Sequence, residues 1–335
     1  MKFSLFAVFD NYSHVYDRTP DQLREEVIEQ TIFAEQLGYD GYWYAEHHFS
    51  EYGVMPNSAL IMALLATQTK RIRLGTGIVT LPFRNPLLVA EDYAYIDELL
   101  GGRLNFGTGS GYLPHEVAGF QLDIKEKYTL FYESLAIIHQ AWKGEEFSFH
   151  GQKFHIDNIR LNVKPVQQPV PTWVATLHKE SVVRVAQKGY QLMGLPYVTG
   201  NSISEMKEVL DLYREERRKS GFDPANVHIP LCMHTYVAET REQAYEEAKE
   251  HLNLYLKTRQ YGKGAQIEDL IAKGQFLYGT PDDVIDMLRK YESIGMDEIM
   301  MFMNFGGISK EKAMRSMELA ASHVFPAFRE KSSVS

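Results

Sequence analysis

Glu46-His47-His48 places a carboxylate and two imidazoles side by side, at the end of the aromatic run GYWYAEHHF (41–49). Three kinds of chemistry use such a group: metal ligation, a buried polar cluster, or a histidine aimed into a pocket as an acid–base. Adjacent strand residues point to opposite faces, so His47 and His48 cannot both reach one ion from a regular strand. Neither has a partner four residues along a helix, and no metal site is expected. A second candidate is Gly107-Thr108-Gly109-Ser110-Gly111, which reads GxGxG. It is one residue short of a dinucleotide fingerprint and no helix opens directly behind it. It is either a plain tight turn or a place where bare backbone approaches an anion. The third is Leu177-His178-Lys179-Glu180-Ser181, which runs into the helical stretch VVRVAQKG. Backbone N–H groups at such a helix start can hold a phosphate, and Ser181 is equally an ordinary capping residue.

All three groups need elements to hold them, and the chain alternates short apolar runs with amphipathic helical segments. Strands are expected at 2–9, 41–49, 71–80, 103–109, 172–176, 190–194, 227–237 and 297–303. Helices are expected at 20–37, 58–68, 86–99, 124–142, 179–188, 202–219, 240–256, 281–294 and 310–324. Eight strands, each followed by a helix, predict one α/β domain over 1–330, a single (β/α)8 TIM barrel, with a tail at 331–335. A doubly wound sheet stays open, because alternation does not count a closed ring. Residues 144–170 read as an insertion after the fourth unit, with a hairpin around Gly151. Residues 257–279, rich in Gly, Lys and Gln, read as a lid-like loop before the last helix–strand unit, with the lid at about 258–277. In a barrel of this kind chemistry sits at the C-terminal ends of the strands, where all three candidate groups fall.

Bulk properties exclude several function classes. The 335 residues carry a net charge of −9 and no basic patch, so nucleic acid and acidic membranes are not expected partners. Cys232 is the one cysteine, so no intramolecular disulfide can form. The N-terminal apolar run is short and ends at Asp10, which suits a strand better than a signal peptide. No apolar window is long enough to span a bilayer, and a soluble cytoplasmic protein is expected. Residues 58–68, SALIMALLATQ, carry no charge. A barrel's outer helix should show water one polar face, so this one asks to be covered, by a second copy in a homodimer or by the chain's own loops.

Taken in order, AEQLGYDGYWYAEHHFSEYG, LGTGIVTLPFRNPLLVAEDYAYIDELLGGRLNFGTGSGY and GTPDDVIDML…GMDEIMMF resemble the bacterial luciferase-like family of flavin-dependent monooxygenases over nearly the whole chain. The resemblance to the alpha chain of bacterial luciferase is close around residues 41–53. It implies a barrel holding reduced FMN in its mouth, with the phosphate between Gly109-Ser110-Gly111 and the segment Leu177, His178 to Ser181. The ring would then lie over the end of the third strand, where a non-proline cis peptide would fall at Gly77–Ile78. His47 matches the family's catalytic histidine, with His48 and Glu46 turned outward to frame it. Dimers through the region of 58–68 also fit the family pattern. Where luciferase has a reactive cysteine beside an arginine, this chain has Gly109 and Ser110. The resemblance therefore leaves Lys179, His178 or backbone groups to neutralise the phosphate.

The function implied is that of a two-component monooxygenase. FMN, reduced by a separate flavin reductase, and O2 would together oxidise a small apolar substrate. An F420-dependent oxidoreductase on the same fold and a catalytically silent flavin-binding subunit are the alternatives. Phe6, Phe9, Tyr12, Trp43 and Tyr112 are either pocket walls or core.

Overall fold

The computed structural model describes residues 1–176, 178–196, 202–259 and 264–329 of the chain. Eight parallel strands form the ring: β1 (Lys2–Ala7), β2 (Gly41–Tyr44), β3 (Arg73–Thr76), β5 (Leu104–Gly109), β8 (Thr172–Ala175), β9 (Gln191–Met193), β10 (Pro230–Val237) and β12 (Glu298–Phe302). They pair in that order, with β12 beside both β1 and β10. A parallel bridge from Gly194 to Leu231 joins the end of β9 to β10 and closes the ring. This is the expected (β/α)8 barrel.

Helices lie outside the strands: α1 (Pro20–Leu37), α2 (Ser58–Ala66), α3 (Pro86–Leu99), α4 (Pro114–Gly119), α5 (Lys127–Ala141), α6 (Lys179–Gln187), α7 (Ile203–Lys219), α8 (Arg241–Lys257), α9 (Ile267–Ala272), α10 (Pro281–Ser293) and α11 (Lys310–Leu319). Their starts are written in the sequence. Thr19 and Thr280 each close a capping box with the side chain three residues on, before Pro20 and Pro281. Such a cap contributes about 1 kcal/mol and fixes where each helix leaves the barrel mouth. None of the helices among the described residues is long and apolar enough to cross a membrane.

Two apolar layers hold the barrel. One lies between sheet and helices; the other fills the lumen with Phe6, Trp43, Trp173, Met193, Cys232 and Met300. The N-terminal end of the lumen is plugged by a polar network on Glu298. Its carboxylate accepts Ser4 Oγ at 2.6 Å and Trp43 Nε1 at 2.9 Å, and pairs with His228 Nε2 at 2.5 Å. A buried carboxylate with three donors is satisfied rather than stranded. The plug closes the lumen at this end, and the cavity that holds His47 opens at the C-terminal mouth.

Several expectations change in detail. The 71–80 strand is broken into β3 and a two-residue β4 (Val79–Thr80) around a cis Gly77–Ile78 peptide. The insertion carries the hairpin β6 (Phe147–His150) and β7 (His155–Ile159), turning at Gly151. The 258–277 segment is not a structureless lid, although 260–263 lie outside the described residues. It holds α9 and β11 (Phe276–Gly279), which pairs with the C-terminal half of β10. Ile267, Leu270, Phe276 and Leu277 are buried there, at ~1.5–3 kcal/mol each. The polar average of the stretch concealed four apolar residues at helix and strand spacing. The tail at 331–335 lies outside the described residues.

Candidate active site

β2 ends at Tyr44, so Glu46, His47 and His48 are not in strand geometry at all. The loop instead folds back on itself, with His47 N bonded to the Met55 carbonyl and Val54 N to the Phe9 carbonyl. Tyr52 is brought to 4.2 Å from the His47 ring, centroid to centroid. His47 is buried, and its Nδ1 lies 3.1 Å from Glu116 Oε1. The same oxygen accepts the His48 backbone N–H at 2.8 Å. A carboxylate takes a proton-bearing nitrogen, so Nδ1 carries the hydrogen and Nε2 is left for the cavity. Burial pushes the His47 pKa below its ordinary value, with the Glu116 hydrogen bond and charge opposing that fall. The ring is thus neutral near pH 7 and able to accept a proton.

His48 faces away from the cavity. Its ring lies against Phe120 at 4.8 Å, and its Nε2 is 3.3 Å from Glu46 Oε1. Glu46 is buried, pairs with Arg84 at 2.9 Å and accepts the Thr80 N–H, but it also borders the cavity. The two histidines therefore face different ways, His47 to the cavity and His48 away from it, through loop geometry rather than strand alternation, and Glu46 is turned inward where an outward turn was expected.

The cavity is about 290 Å³ and opens at the C-terminal ends of the strands. Gly77, Ile78, Gly109, Ser110, Gly111, His178 and Ser181 all line it together with His47. Leu177 lies outside the described residues. The floor is apolar: Phe6, Ile78, Val174, Met193, Cys232 and Met300. Gly109 is there because Ile78 is; a Cβ on it would sit 2.5 Å from Ile78 Cδ1. Gly111 takes φ +73°, the left-handed region in which a side chain is costly. No side chain caps α6 at His178, so the positive end of that helix is open toward the cavity.

Lys179 does not neutralise this end. It is exposed and pairs with Glu208 at 3.3 Å. Of the expected aromatics, Phe6 and Tyr112 line the cavity, whereas Phe9, Tyr12 and Trp43 are buried elsewhere. Four residues escaped the sequence reading: Glu116, Tyr52, Lys127 and Tyr255. Glu116 follows His47 by 69 positions with no motif linking them, so only the fold joins the pair. Tyr52 sits in the AEHHFSEYG run beside His47 and could have been found there. Among the described residues no cluster of His, Cys, Asp or Glu is arranged to hold a metal ion.

The arrangement has an apolar floor, a histidine–carboxylate pair at one edge and anion-binding groups at the other. It can take a flat ring system with an anionic tail and move a proton at the ring's edge. Residues 1–298 match the model of the luciferase-like monooxygenases. The oxygenase component of flavin-dependent trigonelline monooxygenase from Acinetobacter baylyi is 30% identical over 355 residues, 98% of this chain and 96% of that one. A monooxygenase structure from Streptomyces bottropensis has a TM-score of 0.88 and 26% identity, covering 98% of this chain and 100% of the other. The oxygenating constituent of 3,6-diketocamphane monooxygenase from Pseudomonas putida, a type II Baeyer–Villiger monooxygenase in complex with FMN, shares the fold at a TM-score of 0.84 and 20% identity, over 97% and 98% of the two chains. This chain belongs to the luciferase-like monooxygenase family and is a flavin-dependent monooxygenase.

Proposed function

We propose that the protein is the oxygenase of a two-component system, taking reduced FMN from a separate flavin reductase and using O2 to oxidise a small apolar substrate. The observation that carries this reading is the polarity of the cavity. The proton-handling pair His47–Glu116 stands at one edge, and the serine and helix-start donors Ser110, His178 and Ser181 stand at the other. The residues fit a phosphorylated flavin: Gly77, Ile78 and Gly109 would lie under the ring, and Ser110, Gly111, His178 and Ser181 around the phosphate. The A. baylyi relative is named as an oxygenase component, which supports a separate reductase; the FMN in the P. putida structure supports FMN as a cofactor this fold can hold.

Bound and reduced, the flavin supplies the electrons that activate O2. The chain's own part is positional and protonic. Glu116 fixes the His47 tautomer, so that Nε2 can take or return a proton at the ring's edge, a contribution of about 10²–10⁴-fold. Tyr52 and Tyr112, whose hydroxyls lie 3.3 Å apart, cover His47 from the solvent side. Val8, Tyr255 and Met300 leave an apolar space for the substrate.

A homodimer completes the proposal. On α2 the buried face is Ser58, Ala59, Ile61, Met62, Leu65 and Ala66. Leu60 remains 67% exposed, Leu64 47% and Leu88 of α3 60%. An apolar outer face of this kind supports coverage by a second copy.

The test is O2 consumption and product formation with enzymically reduced FMN, and separately with reduced F420, over a panel of aldehydes, alkanes and thioethers. Oxygenated product with FMN and a reductase is expected. Hydride transfer with F420, with no oxygen from O2 incorporated in the presence of either cofactor, would overturn the reading.

A further inference from the structure

Resting on the flavin reading above, we propose that Lys127 supplies the counter-charge for the cofactor phosphate, in place of an arginine on the glycine turn. A phosphate monoester brings a charge of about −1.5 to −2 near neutral pH, and a cation beside the neutral dipoles of the turn and helix start strengthens its binding. Ser110 and Ser181 are neutral donors, and Lys179 is held away by Glu208. Among the described residues lining the cavity, Lys127 is the one lysine or arginine.

Its placement is specific. Lys127 is the first residue of α5, and its side chain reaches back across the cavity mouth. There Nζ donates to the carbonyl of Gly111 at 3.1 Å. That carbonyl belongs to the left-handed residue that ends the Gly109-Ser110-Gly111 turn, so the ammonium is tethered to the turn expected to hold the anion. The stem runs beside Tyr128, with Nζ 4.9 Å from the ring centre. Among the described residues no carboxylate lies within ion-pair distance of it, whereas Arg84, on the opposite side, is committed to Glu46. An ammonium has three donors. One is spent on Gly111, and the others are available to a phosphate lying between the turn and α6.

Lys127 also divides the cavity electrically. Glu46 and Glu116 lie at the His47 edge, already paired with Arg84 and His47, and Arg259 stacks on Tyr52 beside them. Lys127 at the turn edge has no carboxylate in ion-pair distance among the described residues, which favours the phosphate at the turn. Lys127 is thus a determinant of both affinity for the phosphorylated cofactor and the way round it lies.

The test compares oxidised FMN with riboflavin, by flavin fluorescence titration of the purified full chain at low and high salt. The wild type should prefer FMN over riboflavin, and the preference should shrink with salt. Lys127→Met should lower FMN affinity by about tenfold to a hundredfold, the size of a charge-assisted hydrogen bond, and leave riboflavin within about twofold. Lys127→Arg should keep most of the preference. An unchanged FMN-to-riboflavin ratio in Lys127→Met would overturn the assignment, with the flavin reading intact. A wild type that binds neither compound, oxidised or reduced, would overturn the flavin reading itself.

Discussion

Glu116→Gln separates the charge of the His47 partner from its hydrogen bonds. Both bonds end on one oxygen, Oε1, with His48 N–H at 2.8 Å and His47 Nδ1 at 3.1 Å. A glutamine carbonyl in the same place can accept both, so geometry is kept and the negative charge is lost. A charge-assisted hydrogen bond is roughly twice as strong as a neutral one, a difference of ~1–2 kcal/mol, or about 5- to 30-fold in a proton-transfer step. The sign follows from the opposing causes at His47. Burial lowers its pKa and Glu116 raises it, so removing the charge drives the pKa further down. The acidic limb of the pH–rate profile should therefore move to lower pH, while the rate on the plateau falls, because the imidazole is a weaker base. Two assays read this: the pH dependence of product formation with reduced FMN and air, and NMR titration of the His47 ring without cofactor. Glu116→Ala should cost more, since both donors then lose their acceptor in a buried place. If Glu116→Gln keeps the wild-type rate and limb while His47→Ala abolishes turnover, Glu116 does not act on His47 and the reasoning fails.

Other outcomes follow from the same geometry. His47→Ala should keep the fold and most FMN affinity but lose substrate oxidation by about a hundredfold or more, releasing hydrogen peroxide instead; His48→Ala should mainly lower the melting temperature, because its contacts are Glu46 and Phe120. Reversed phenotypes would show the two roles to be exchanged. His228 bridges Asp297 and Glu298, which raise its pKa to about 9 against burial. Its stabilisation is complete below the ordinary value near 6.5 and is lost as pH rises through 9, a change of ~3 kcal/mol for the network. Calorimetry at pH 6.5 and 9 should show the wild type losing that much and His228→Gln losing little. Leu60→Lys with Leu64→Lys should turn a sedimenting dimer into a monomer; a wild-type monomer at micromolar concentration would remove the dimer from the proposal.

The barrel was legible because its signal is periodic and repeated: eight apolar runs, each followed by a helix and most of those helices started by a capping side chain, carry their own register. The site was legible where its residues are contiguous, as in the EHHF segment, the glycine turn and the start of α6. It was not legible where function depends on a contact across the mouth. His47–Glu116 spans 69 positions and Lys127–Gly111 joins a helix start to a turn, and neither pair leaves a local pattern. Glu116 lay in the unassigned stretch between the strand at 103–109 and the helix at 124–142, and Lys127 within that helix beside Lys125. Lys179 misled for the complementary reason. Its place at a helix start suggests anion binding, but side-chain direction decides the matter, and Glu208 on α7 takes it.

The two ends of the barrel differ in how they treat buried charge, and that difference bears on which end is poised for a ligand. At the N-terminal end Glu298 has Ser4, Trp43 and His228 as donors. A group so fully satisfied is costly to disturb and has nothing left to offer a ligand. At the mouth the charges are only partly committed. The Glu116 oxygen is occupied, but the His47 nitrogen it orients is left with one open position, and Lys127 spends a single donor on Gly111. Open valences of opposite character at two ends of an apolar floor form a site that is incomplete until a flat molecule with an anionic tail lies across it. The same side chains, fully paired as Glu298 is, would make the mouth more stable and leave it inert.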